Sequence, residues 1–118
     1  MTPTREPGEP PDRDGAAPLA SIRVTRSGRN TVVTASGEID MSNQTQFRAA
    51  LATAASGDRR MVVDLTRVTT LSSHAIGALY QHAARLSAVY VEPDSLIARA
   101  LNYSGFASRV PVIADPQM

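Results

Sequence analysis

Along residues 21–25 apolar and polar side chains alternate, with Ile22 and Val24 on one face and Arg23 and Thr25 on the other. That is the pattern of a half-buried strand. Ser27-Gly28-Arg29-Asn30 is a turn signal, and residues 31–36 read as a second strand, so the pair predicts a hairpin. After Gly37-Glu38-Ile39-Asp40 the period changes. Phe47, Ala50, Leu51 and Ala54 recur at i, i+3, i+4 and i+7, and residues 40–43 offer several N-caps. This helix ends near Ser56-Gly57, where glycine suits a left-handed terminal residue.

Residues 61–65, Met-Val-Val-Asp-Leu, are a short apolar run that suits a central strand covered on both faces. A Thr-rich connection over 66–71 leads to Ser72 and Ser73, either of which can cap a second helix. Ile76, Leu79, Tyr80, Ala83 and Leu86 recur at helical spacing, and residues 88–91 are again strand-like. The short link between them requires the helix to end early, near Ala84, or the strand to be short. Glu92-Pro93-Asp94 stops that strand. Asp94 then caps a third helix with Ile97, Ala100 and Leu101 inward, and Gly105 ends it. Residues 110–113 form a last strand, placed at an edge by Pro111.

The order β-β-α-β-α-β-α-β predicts an α/β fold: one mixed four- to five-stranded sheet with about three helices in one layer. It puts the turn at Ser72 at the C-terminal end of the central strand, where open α/β sheets usually meet ligands and partners.

Composition narrows the picture. Residues 1–18 hold five of the eight prolines, mixed with charge and almost without large apolar side chains. Such a segment cannot offset its ordering entropy and is expected to be a disordered tail. The folded domain is expected over 19–114, with a short tail at 115–118. Net charge is +1, which gives no footprint for nucleic acid or for an anionic membrane. All twelve basic residues are Arg, in an Ala-rich chain, as in GC-rich bacterial coding sequence. There is no Cys, so disulfides and thiolate chemistry are excluded. No apolar stretch approaches a membrane span or a signal sequence, which makes the cytoplasm the expected compartment.

Catalytic patterns are missing. The sequence has neither a Gly-rich phosphate loop nor a G-x-S-x-G elbow. His74 and His82 are eight residues apart, about 12 Å along one helix, too far to share a metal. Ser73 and His74 are adjacent, but neighbours on a helix diverge by about 100°, so the imidazole does not activate the hydroxyl. Neither an enzyme nor a cofactor or metal site is expected. A hydroxyl at a helix N-terminus does suit regulation, because a phosphate there meets free N–H groups and adds charge to an exposed surface.

The run Val63-Asp64-Leu65-Thr66-Arg67-Val68-Thr69-Thr70-Leu71-Ser72-Ser73-His74-Ala75-Ile76-Gly77-Ala78-Leu79 resembles, without a gap, the signature of the STAS domain family. Its usual form is V-D-L-S-x-V-x-F-I-D-S-S/T-G-I/L-G-x-L. Ala35-Ser36-Gly37-Glu38-Ile39-Asp40 is similar to the family's G-E-I/L-D stretch. Leu101-Asn102-Tyr103-Ser104-Gly105-Phe106 is similar to the end of its last helix. The family includes the bacterial anti-sigma factor antagonists.

The resemblance implies a binding module that captures a serine kinase-like anti-sigma factor and so frees a sigma factor. The implied partner surface is Asp40, Ser72, Ser73, His74, Ala75 and Ile76. In the family the second hydroxyl of the turn is the phosphoacceptor. Here that position is His74, Ser72 replaces the Asp and Ala75 replaces the Gly, leaving Ser73 and Ser72 as phosphorylation candidates. The alternative role is a scaffold or assembly module that does not bind an anti-sigma factor. The family's usual C-terminal helix has no counterpart in the pattern after Ile113, which implies a sheet face left partly uncovered.

Overall fold

The structure is a computed structural model and describes residues 20–57 and 59–114. The tails expected over 1–18 and 115–118 lie outside the described residues. Five strands form one sheet in strictly sequential order: β1 (Ala20–Ser27), β2 (Asn30–Ile39), β3 (Arg60–Leu71), β4 (Leu86–Val91) and β5 (Val112–Ala114). The first pair is antiparallel and the other three are parallel. Among the described residues the α-helices are α1 (Gln44–Ala55), α2 (Ser73–Gln81) and α3 (Leu96–Tyr103). The mixed sheet and single helical layer agree with the pattern in the sequence.

The hairpin follows from its two-residue loop. Ser27 pairs with Asn30, leaving Gly28-Arg29 as the connection. Gly28 has φ +60°, the positive value that a tight hairpin turn of this hand demands and that glycine adopts without strain.

Val33, Val63, Val89 and Val112 are register partners, so they share one face of the sheet. The first three are fully buried with Phe47 and Leu51 of α1, Leu79 of α2 and Leu101 of α3. Register also aligns Arg23, Thr34, Asp64, Tyr90 and Ile113 on the opposite face. Among the described residues no helix covers that row.

Two elements differ from the sequence reading. The Thr-rich stretch 66–71 is not a connection: β3 continues through it, and Leu71 pairs with Ile39. A bulge makes this work. Between Thr34↔Asp64 and Ser36↔Arg67, β2 advances two residues while β3 advances three. The Asp64 Oδ1 accepts the Thr66 N–H at 2.9 Å and its hydroxyl at 2.7 Å, holding the extra residue in place. The phase shift returns Val68 to the core. β-branched threonines then suit the pleated strand that follows.

The helical recurrence through Leu86 also breaks earlier than its spacing suggests. α2 ends at Gln81, Ala83–Arg85 form a 3-10 turn, and Leu86 is buried as the first residue of β4. Arginines fix this tight link. Arg60 donates to the carbonyls of Ala84 (3.1 Å) and Leu86 (3.0 Å) and to the Ser87 hydroxyl (3.2 Å). Arg85 reaches back to the carbonyls of Gly57 and Arg59. The third helix is capped by Ser95, whose hydroxyl accepts the Ala98 N–H at 3.1 Å, and not by Asp94, which sits in the turn before it at φ +58°.

Gly105, at φ +82°, ends α3 as expected and turns Phe106 into the core. The Phe106 ring meets Tyr80 edge to face at 5.2 Å, and Tyr80 donates its hydroxyl to the Ser104 carbonyl. This cluster ties α2 to the end of α3. Phe106→Ala is expected to cost about 3–5 kcal/mol, a fully buried aromatic's worth, read by urea denaturation.

The candidate partner-binding turn

The C-terminal ends of β2 and β3 lie side by side, and what leaves them forms the site. The Ser72 N–H donates to the Ile39 carbonyl at 2.8 Å, one step beyond the last paired residues. The Ser72 hydroxyl accepts the Ala75 N–H at 3.1 Å, which makes Ser72 the N-cap of α2. The same hydroxyl donates to the Gln44 side-chain oxygen at 3.2 Å, joining the start of α2 to the start of α1.

The loop between β2 and α1 is held from within. Asn43 occupies the cap position of α1 but turns its amide backward: it donates to the Glu38 carbonyl at 2.7 Å and accepts the Asp40 N–H at 2.9 Å. The Asp40 carboxylate accepts the Ser42 N–H at 2.9 Å and the Ser42 hydroxyl at 2.6 Å. Those two bonds hold the Asp40 carboxyl below its ordinary pKa, the hydroxyl contributing most. Met41, between them, is 79% exposed.

The residues singled out in the sequence therefore separate. Ser73 and His74 are exposed on the first turn of α2, while Ser72 and Asp40 are half-buried and engaged in hydrogen bonds. Ile76 is partly buried against the core. Ala75 is 0% exposed, so it belongs to the core and offers no side chain to a partner surface. Its place in the first turn put it beside the exposed pair in sequence, but the helical period turns it inward.

One part of the site escaped the sequence reading. A groove of about 400 Å³ runs between α1 and α2, lined by Arg48, Ser73, His74, Gly77, Ala78 and Gln81. Arg48 lies four residues beyond Gln44, so it continues the same helical face, and that spacing was the available signal. A Cβ built on Gly77 would meet nothing within 4 Å. Packing among the described residues thus gives no reason for glycine inside α2. Among the described residues no group of three His, Asp or Glu side chains is placed to hold a metal, and no helix is long and apolar enough to cross a membrane.

The family model described as "Mlab, STAS domain" matches residues 22–113, and the chain belongs to the STAS domain family. No curated protein matches the sequence significantly. Among solved structures, an anti-sigma factor antagonist from Mycobacterium paratuberculosis aligns with a TM-score of 0.75 at 22% identity, covering 85% of this chain and 91% of that one. The anti-sigma factor antagonist SpoIIAA in its unphosphorylated form aligns at 0.59 and 16% identity, over 78% and 87%. An uncharacterized Shewanella loihica protein with a SpoIIAA-like fold aligns at 0.54 and 18%, over 84% and 88%. At these identities the likeness is one of fold.

Two outcomes test the site's construction. Ser72→Ala is expected to lose about 1 kcal/mol of stability through its cap, while Ser73→Ala stays within about 0.5 kcal/mol, both by chemical denaturation. The depressed Asp40 pKa means that the loop's stabilisation is present above the ordinary value of 3.8 and is lost as pH falls through the lower folded value. NMR titration of the Asp40 carboxyl should therefore show a midpoint below 3.8 that rises in Ser42→Ala.

Proposed function

We propose that this protein is an anti-sigma factor antagonist. It binds a serine kinase-like anti-sigma factor through the first turn of α2, the Asp40–Ser42 loop and the groove beside them, and so releases a sigma factor. The observation that carries this reading is Gly77 at the groove. Glycine inside a helix costs about 0.5–1 kcal/mol relative to alanine. No described neighbour needs the space, and we read the opening as room for close approach by a partner. The contact surface is Asp40, Ser73 and His74, edged by Ser72 and Ile76 and extended to Met41, Arg48 and Gln81.

Regulation differs from the family pattern. An imidazole at His74 is not an acceptor for a Ser/Thr kinase. The Ser72 hydroxyl already serves as cap and as donor to Gln44, so a phosphate on it would break both bonds. Ser73 is the exposed hydroxyl that remains. Because His74, not Ser73, stands at the position of the family's acceptor hydroxyl, the protein is read as permanently competent to bind, with phosphate on Ser73 the outcome that would change this.

The test is binding of the whole chain to the serine kinase-like anti-sigma proteins of its own genome at micromolar concentration, with and without ATP. Binding is expected without a gain of phosphate in the intact mass. Gly77→Ala is expected to raise stability by about 0.5–1 kcal/mol yet weaken binding. Failure to bind any such protein would remove the proposal. A second reading, an assembly module without anti-sigma binding, draws on the absence of an acceptor hydroxyl at His74. A stable oligomer that ignores anti-sigma proteins would favour it.

A further inference from the structure

The face of the sheet that no helix covers among the described residues holds a second polar cluster, apart from the turn at Ser72. Register places Arg23, Thr34 and Asp64 in one row across β1, β2 and β3, and Ser21, Ser36 and Arg67 in the next. Regular alternation would have pointed Arg67 at the helices, since Leu65 is in the core. The bulge after Asp64 reverses the phase, so Thr66 and Arg67 both line the open face. The two arginines then stand two strands and two residues apart, about 12 Å between Cα atoms by sheet spacing. Each side chain is long enough to span roughly half that distance, and both line one depression with Thr34 and Ser36. Between them lies a depression of about 300 Å³, the size of a small-molecule site.

We propose that this depression binds a small hydroxylated phosphate monoester. Two guanidiniums match the charge of a phosphate dianion and offer it forked donors. The hydroxyls of Thr34 and Ser36 supply neutral donors at its base. Asp64 forbids a bare anion from filling the whole depression. Its Oδ1 is taken by Thr66, which leaves the carboxylate's other oxygen to accept from a ligand hydroxyl. The ligand therefore presents its phosphate to Arg23 and Arg67 and a hydroxyl to Asp64.

The experiment is an NMR titration of the whole chain at fixed ionic strength with glycerol 3-phosphate, inorganic phosphate and glycerate. Glycerol 3-phosphate is expected to saturate at about 1 mM or below, with shifts confined to the amides of 21–23, 34–36 and 64–67. Inorganic phosphate, lacking the hydroxyl, and glycerate, lacking the dianion, are each expected to bind roughly tenfold more weakly. Arg23→Gln and Arg67→Gln should each weaken glycerol 3-phosphate by a similar factor. Thr34→Val, which leaves both charges and the bulge intact, should weaken it about threefold. Absence of saturation by about 10 mM, shifts centred on 73–77, or unchanged affinity in the arginine variants would overturn the site. Equal affinity for inorganic phosphate and glycerol 3-phosphate would overturn the pairing with Asp64.

Discussion

The architecture turns on the Ser72 peptide N–H and its bond to the Ile39 carbonyl. That bond holds the ends of β2 and β3 together one residue beyond their ladder, and the same residue starts α2. Ser72 thus faces three ways: backbone to β2, hydroxyl oxygen to the Ala75 N–H, hydroxyl proton to Gln44. The nearest residues of the candidate contact surface take their places from it. Asp40 follows Ile39 directly, and Ser73 and His74 follow Ser72. A hydrogen bond buried at a strand end is modest alone, but its loss here would leave several polar groups unmatched at once.

Most of the fold was legible because its period changes cleanly, from two in the hairpin to nearly four in α1 and again in α2 and α3. What was misread came from side chains overriding local pattern. The bulge that extends β3 depends on Asp64 bonding to Thr66, a link across two residues that no hydrophobic period records. The early end of α2 depends on Arg60 and Arg85 pinning carbonyls from distant segments. Leu86 fits the helical spacing as well as it fits a strand, so only those long-range bonds decide. The candidate turn was legible by position but not by role. Sequence could not say which serine caps, nor that α1 and α2 lie close enough for Arg48 to share a groove with Ser73 and His74.

The turn shows how one position can keep its place while its chemistry changes. By its resemblance to the STAS signature Ser72 takes the place of an Asp, and both residue types accept a helix N–H, so the cap survives the exchange. What the turn lacks, relative to the signature it resembles, is a negative charge at the cap. What is gained is a hydroxyl proton, which is spent on Gln44 and ties two helices. The substitution converts an electrostatic feature into a mechanical one.

The strand order β1-β2-β3-β4-β5 carries a consequence for how the chain reaches this structure. Each strand pairs only with its predecessor and successor in sequence. No strand is inserted between two already formed, and no early segment waits for the last to complete its ladder. Only the hairpin is a short closure: the parallel pairs Asn30↔Arg60, Met61↔Leu86 and Val89↔Val112 each wait for a helical crossover, so they form more slowly than the β1–β2 turn. During synthesis the hairpin can form first, and each later strand finds a finished edge as it emerges. Assembly then runs in the order of translation.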